Sequence, residues 1–101
     1  MDTEQLLRTV AGRLDALAAR TTSGDWRTSG LLASRPEVVA HLHDGSTEHV
    51  AEARAGTGAW IATFSPTLAA PLASWLRAAA AHGPAEPAAE AFARALLARL
   101  P

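Results

Sequence analysis

The Asp44-Gly45 pair constrains the fold of this chain more than any other feature of its sequence. It lies between two short apolar runs, residues 38–42 and 50–53, which is typical of a β-hairpin. Glycine adopts the positive φ that a tight turn requires, and aspartate tolerates it. A third apolar run, residues 31–33, precedes Pro36. We therefore predict an antiparallel three-strand meander, with strands at about residues 27–33, 37–43 and 47–54.

The turn length decides which side chains share a face of this hairpin. A two-residue turn pairs Leu42 with Thr47 and Ala40 with His49, which gathers the apolar positions on one face. His41 and His43 then share the polar face, and His49 points away from them. A three-residue loop would mix the two sets of side chains, so we expect the two-residue turn.

Helical periodicity flanks the meander on both sides. Apolar residues recur every three or four positions in residues 3–20, and similar patterns predict helices over 57–64, 66–82 and 87–100. Pro71 should bend the second of these last three helices, because proline lacks the N–H that would reach Thr67. The sequence thus predicts one α+β domain, residues 1–101, in which an N-terminal helix and two or three C-terminal helices flank the sheet.

The composition predicts a thin core. Of 101 residues, 25 are alanine and only five are aromatic, so Trp60 and Trp75 are expected to be buried anchors. A domain with so little large apolar volume stabilises itself weakly. We therefore expect a homo-oligomer, formed through an edge strand or an alanine-lined helix.

Several classes of function are disfavoured by what the sequence lacks. Without cysteine there is no disulfide, thiolate nucleophile or Cys-ligated metal, and no catalytic or nucleotide-binding motif is found. We predict a protein that is not an enzyme and has no cofactor.

The net charge is −1 and the nine arginines are dispersed, which argues against duplex DNA as a partner. Asp2 and Glu4 argue against a secretory signal, so we expect a cytoplasmic location. Glycines and prolines interrupt the uncharged stretch 55–76, so no membrane association is predicted.

Six residues of the strand region are candidate ligand-binding residues. An indole beside a guanidinium can stack on a base, arginines can bind phosphate, and histidines can bind metal. The six are Trp26, Arg27, Arg35, His41, His43 and Arg54. Alternative roles stay open, because Trp26 could lock the first helix onto the sheet and the other five could be solvated. A metal-dependent hydrolytic site at His41, His43 and Glu48 is a weaker alternative, and we predict no metal.

The layout of the chain resembles a group of small accessory proteins of phages and integrated elements, including those of actinobacteria, that are similar to the Ead proteins of lambdoid phages. The matching stretches are Thr22-Ser23-Gly24-Asp25-Trp26, Asp44-Gly45, Gly58-Ala59-Trp60-Ile61-Ala62, and Ser65-Pro66 through Trp75-Leu76. The family pattern Thr-Pro-Gly-Pro-Trp has lost both prolines here, to Ser23 and Asp25. Gly58 replaces the asparagine of the second pattern.

This resemblance implies a context rather than a chemical activity. It implies a dispensable phage or mobile-element gene whose product acts on host factors. We therefore predict a non-enzymatic interaction module that binds a host protein partner. The alternative prediction is an anti-defence protein that sequesters a small molecule, such as a nucleotide signal, at the six candidate residues.

Overall fold

The computed structural model describes residues 1–32 and 35–101, and for residues 31, 32 and 35 it describes the backbone alone. The elements, in chain order, are α1 (Thr3–Ala19), β1 (Asp25–Leu32), β2 (Arg35–His41), β3 (Thr47–Glu52), α2 (Ala55–Thr63), a 3₁₀ turn (Pro66–Leu68), α3 (Ala69–Ala81) and α4 (Pro87–Leu97). The three strands form one antiparallel sheet in the order β1-β2-β3. The predicted α+β fold is confirmed.

The chain divides into two compact units. Residues 1–19 and 69–101 form a helical unit, and residues 20–68 form a sheet unit that contains the three strands and α2. Across the helices of the described ranges, none combines the length and the apolar character needed to cross a membrane.

In the helical unit, α1 packs against α3 and α4. The predicted apolar stripe of α1 is buried at Leu6, Leu7 and Val10, and Leu76 of α3 is fully buried against it. Alanines fill the remaining core positions, namely Ala11, Ala73, Ala80, Ala89 and Ala93. Small side chains at these positions let the helix axes approach closely, so a core with few large residues still excludes water.

The predicted helix over 66–82 is divided in the structure. Residues Pro66–Leu68 form a 3₁₀ turn, and α3 begins only at Ala69. Pro71 therefore lies in the first turn of α3 rather than in a helix interior. The first backbone N–H groups of a helix have no intrahelical acceptor, so a proline at this place removes no helical hydrogen bond. The predicted position of Pro71 in the interior of a helix over 66–82 is therefore wrong.

The predicted two-residue turn of the β2–β3 hairpin is wrong. The carbonyl oxygen of Leu42 accepts a hydrogen bond from the Gly45 N–H at 3.0 Å, and the Leu42 N–H donates to the Ser46 carbonyl oxygen at 2.9 Å. The loop thus has three residues and ends in Gly45 at φ 85°, which is the usual pairing of a type I turn with a left-handed residue. Asp44 Oδ1 accepts hydrogen bonds from the backbone N–H and the hydroxyl of Ser46 at 2.9 and 2.5 Å. Both bonds lower the pKa of Asp44 below its usual value, and the bond from the Ser46 hydroxyl has the larger effect.

The longer turn shifts the strand register by one residue, and a bulge in β3 then restores it. His41 pairs with Thr47 and Val39 with His49, whereas Val38 pairs with Ala51 as predicted. The register changes between Val38 and Val39, which leaves one extra residue in β3. As a result, His49 lies on the same face of the sheet as His41, and the prediction that it points away is wrong.

Helix α2 covers one face of the sheet. Its Gly58 is buried, and a Cβ atom there would lie 3.8 Å from Val38 Cγ2 and 3.9 Å from Thr28 Cγ2. Trp26 pairs with Ala40 and Thr28 with Val38, so these four residues share the face toward α2. We call it the helix-covered face. The opposite face, here the Glu37 face, carries Asp25, Arg27, Glu37, Val39, His41, His49 and Glu52.

Candidate functional site

Trp26, the first candidate ligand-binding residue, has a structural role in the sheet unit. Its side chain lies on the helix-covered face and is partly buried. The indole Nε1 donates a hydrogen bond to the Thr22 carbonyl oxygen at 3.0 Å. The indole therefore ties the segment before β1 to the first strand, and its only polar atom is already satisfied.

Arg27 and His41 lie on the Glu37 face, away from Trp26. Arg27 Nε contacts Asp25 Oδ2 at 2.7 Å, and Asp25 is the cross-strand neighbour of His41. The charge of Arg27 is thus already partnered by an exposed carboxylate.

The remaining candidates are spread over other parts of the chain. His43 lies in the β2–β3 turn, and Arg54 is the N-cap residue of α2, where its side chain makes no capping bond. The side chain of Arg35 lies outside the described part of the chain. The six predicted residues do not converge on one surface, because Trp26 and Arg27 lie on opposite faces of the sheet. Sequestration of a nucleotide by this set stays a prediction.

The histidines of the hairpin are arranged differently from the predicted metal set. Glu48 pairs with Ala40 and so belongs to the face opposite His41. His49 Nδ1 instead contacts Glu37 Oε2 at 2.6 Å, in a half-exposed pair. Within residues 1–32 and 35–101, no group of three or more His, Cys, Asp or Glu side chains could hold a metal ion.

Among the described residues of the sheet unit, the exposed large apolar side chains lie on α2 and at its C-cap. Trp60 is 65% exposed and Phe64 is 52% exposed, so the prediction that Trp60 is a core anchor is wrong. Their rings contact each other, with centroids 4.6 Å apart and planes inclined by 37°. The spacing of four residues places both rings on one side of the helix. We call this pair the aromatic ridge.

The close approach of α2 to the sheet explains why the rings point outward. At Gly58 the helix backbone leaves room for little more than a methyl group. The inner side of the helix accordingly carries Gly58, Ile61 and Ala62, which are buried or half-buried. An indole could not enter this gap without lifting the helix from the strands. Steric fit on the inner side therefore leaves the large rings in water.

The helix that carries the ridge contains no ionisable side chain. Residues 55–64 include no Asp, Glu, Lys, Arg or His. Thr63 is exposed, but its hydroxyl donates a hydrogen bond to the Ala59 carbonyl oxygen at 2.7 Å. The surface of the two rings is thus apolar, and the Thr63 hydroxyl beside them keeps its hydrogen bond when a partner covers it.

A second aromatic pair lies in the helical unit. Trp75 is 45% exposed, which contradicts its predicted core role, and its ring centroid lies 5.4 Å from that of Phe92. Phe92 packs against the helical core. Trp75 also borders a shallow groove of about 330 Å³ between α3 and α4, where His82 and Glu86 lie. Because Phe92 anchors it, this pair is more embedded than the aromatic ridge.

The sequence carried one signal of the exposed ridge. Residues 55–76 form an uncharged stretch, and α2 within it is apolar on every side. A short helix of that kind must either be fully enclosed or leave apolar side chains exposed. A chain of 101 residues with a thin core has little material with which to enclose such a helix, and the predicted burial of Trp60 did not take this into account.

Comparisons of the chain with protein-family models, with curated proteins and with solved structures find no match. The resemblance to the Ead-like group of phage accessory proteins stays a prediction.

Proposed function

We propose that this protein is a non-enzymatic interaction module that binds a host protein partner through the aromatic ridge of α2. The observation that carries the proposal is the exposure of Trp60 and Phe64, at 65% and 52%, on a helix without ionisable side chains. Exposed apolar groups are common when they are scattered, but two rings in contact on a charge-free helix form a contiguous patch.

The chemistry of the ridge fits a polypeptide partner. The centres of protein interfaces are enriched in aromatic residues and depleted of charge, and tryptophan is frequent among the residues that dominate binding energy. The Trp60 ring is already packed on Phe64 at 4.6 Å. A side chain held in place before binding loses less conformational entropy when a partner covers it.

The sheet unit does not use the ridge to build its own core. Among its described side chains, Val38 and Ala40 are fully buried and Val39 is 8% exposed. The chain has only five aromatic residues, and two of them lie on this helix facing water. Apolar surface exposed at that level lowers solubility, and a bound partner would offset the disadvantage.

A proximity-capture experiment with matched variants tests the proposal. The full chain, carrying an affinity tag and a photoreactive cross-linker at exposed Thr57, is incubated with extract of an actinobacterial host. The comparison includes Trp60→Ala and Phe64→Ala, with Trp75→Ala as a control because its exposed indole lies outside the ridge. Circular dichroism confirms that each variant is folded.

We expect the wild-type chain and Trp75→Ala to enrich the same host protein. Trp60→Ala and Phe64→Ala should each lower that enrichment by about tenfold or more, as expected for anchors of an interface. If Trp60→Ala captured the same proteins at the same yield as the wild-type chain, the proposed function of the ridge would be refuted.

A further inference from the structure

The outer face of α2 combines a raised row of rings with a lower row of small side chains. Residues four positions apart lie in line along a helix. One such row is Gly56, Trp60 and Phe64, and the row beside it is Ala55, Ala59 and Thr63, all of them exposed. The aromatic ridge therefore stands next to a shallow channel on the same face.

We infer that this face pairs with the same face of a second copy of the chain. The inference goes beyond the proposed function, because it gives the same surface a second occupant. In a two-fold contact, the ridge of each copy lies over the small-residue row of the other. A ridge and a channel side by side on one helix are complementary to themselves, whereas a ridge alone would only meet another ridge.

The absence of charge on α2 favours a second copy over a charged partner. Near a two-fold axis, side chains come close to their own copies and to the copies of their neighbours. Residues 55–64 carry no charge, so two copies meet without repulsion. The Glu37 face differs, because Glu37 and Glu52 are cross-strand neighbours there, and a second copy would bring four carboxylates together.

The edges of the sheet are poor sites for self-association by strand pairing. The β1–β2 register shifts between Ser29 and Leu31, and the β2–β3 register shifts between Val38 and Val39. Both edge strands, β1 and β3, therefore depart from regular pairing. Irregularities of this kind interrupt the row of backbone groups that an added strand would need. The α2 face is thus the better surface for pairing.

The size of the ridge predicts a weak dimer. At their observed exposures, the four rings of two copies would remove about 350–600 Å² from water, taking about 150–250 Å² for a whole aromatic side chain. The small-residue rows add to this area, but the total stays below the roughly 1,200 Å² of a standard stable interface. We expect a dissociation constant of about 10 μM to 1 mM.

Sedimentation of the full chain over a concentration series tests the inference. Ala59→Arg and Ala59→Glu each place a charge in the small-residue row, at an exposed position where the fold tolerates a long side chain. Ala91→Arg, at an exposed position of α4, is the matched control. Trp60→Ala removes the ridge. An equimolar mixture of the two Ala59 variants then tests whether the face meets its own copy.

The wild-type chain and Ala91→Arg should dimerise, and each single Ala59 variant and Trp60→Ala should weaken the dimer by about tenfold or more. The mixture of Ala59→Arg and Ala59→Glu should recover association, which only a face that meets itself can do. A wild-type chain that stays monomeric to about 1 mM, or a mixture that stays monomeric, overturns the inference.

The two proposals fail separately. Capture of a Trp60-dependent host protein by a chain that stays monomeric removes the self-pairing and leaves the proposed function intact. A Trp60-dependent dimer without Trp60-dependent capture keeps the self-pairing and removes the host partner.

Discussion

Replacement of Gly24 by alanine should destabilise the sheet unit more than the same substitution at Gly45 or Gly58. Gly24 has φ 100° and lies directly before β1. A Cβ atom there would stand 2.5 Å from the His41 carbonyl oxygen and 3.0 Å from its carbonyl carbon. Both atoms belong to the backbone, so no side-chain rotation can relieve the contact. The start of β1 must move away from the end of β2, where Asp25 pairs with His41.

The expected loss combines two terms. A positive φ at a residue with a Cβ costs about 1–2 kcal/mol. Relief of the 2.5 Å contact requires a shift of about 1 Å, which disrupts the first backbone hydrogen bonds of the ladder, each worth about 1 kcal/mol. Together these effects amount to about 3 kcal/mol. That is a large part of the total stability of about 5–15 kcal/mol of a small domain.

Urea denaturation in a Trp75→Phe background measures the effect, because fluorescence then reports only Trp26 and Trp60 of the sheet unit. Gly45→Ala isolates the backbone term, since Gly45 has φ 85° and nothing lies within 4 Å of a Cβ there. It should lose about 1–2 kcal/mol.

Gly58→Ala is the opposite control. Gly58 has a helical backbone and its added Cβ would make only ordinary contacts, at 3.8 Å and beyond. It should gain about 1 kcal/mol from helix propensity. Equal losses for Gly24→Ala and Gly45→Ala would refute the steric reasoning. A loss for Gly58→Ala would show that α2 has no room for a methyl group.

Three further predictions concern other parts of the molecule. Trp60→Ala should lower the unfolding free energy by about 1–2 kcal/mol, because 65% of the residue is already in water, whereas loss of a buried tryptophan costs about 3–5 kcal/mol. Urea denaturation at low protein concentration measures this change. Gly12→Ala should raise the unfolding free energy by about 1 kcal/mol in the same assay, because alanine favours a helix more than glycine does. Gly12 is exposed in the middle of α1, and nothing lies within 4 Å of the new Cβ. A lower unfolding free energy would contradict this argument. The pKa of the Asp44 carboxylate is lowered in the folded chain, so the unfolded chain binds its proton first as the pH falls. The stability that this carboxylate contributes is therefore present above the unfolded pKa of 3.8 and is lost as the pH falls through the folded pKa. Urea midpoints measured against pH should show this dependence in the wild-type chain and a weaker one in Asp44→Asn.

The flanking helices were predictable because they depend on periodicity. The apolar stripe of α1 defined its core face, and Leu6, Leu7 and Val10 are buried as that stripe requires. The bounds of α3 were less accessible to sequence reasoning. Proline is compatible with both a 3₁₀ turn and the first turn of an α-helix, so Pro66 and Pro71 do not by themselves determine where one ends and the other begins.

The hairpin shows how a local ambiguity changes a candidate site. Asp44-Gly45 correctly located the turn, but the same pair suits both a two-residue and a three-residue loop. The extra turn residue shifts the adjacent pairs by one, and the β3 bulge reverses that shift before Ala51. Between these two points, His49 changes face and meets Glu37. A bulge leaves no composition signal in a strand of six residues, so this contact was not predictable.

The exposure of Trp60 also depends on a tertiary distance. Sequence reasoning treats a tryptophan in an alanine-rich chain as a core residue, because burial of a large ring is the strongest apolar contribution available. The close packing of α2 on Val38 leaves no space for that ring on the inner side. The propensity of the residue is therefore overruled by how near the helix lies to the sheet.

The division of the chain into two units has a consequence for the order in which the protein folds. The strand pairings of the sheet unit and the packing of α2 on them lie within residues 20–68, whereas α1 finds its core partners only after α3 has been synthesised. During translation, a meander of short-range pairings can form while the apolar stripe of α1, with Leu6, Leu7 and Val10, still lacks its partners. The emerging chain thus exposes this apolar stripe first and covers it last. A ribosome-bound chain in which residue 68 has left the exit tunnel and α3 has not should show a protected sheet unit and an α1 that exchanges its amide protons freely.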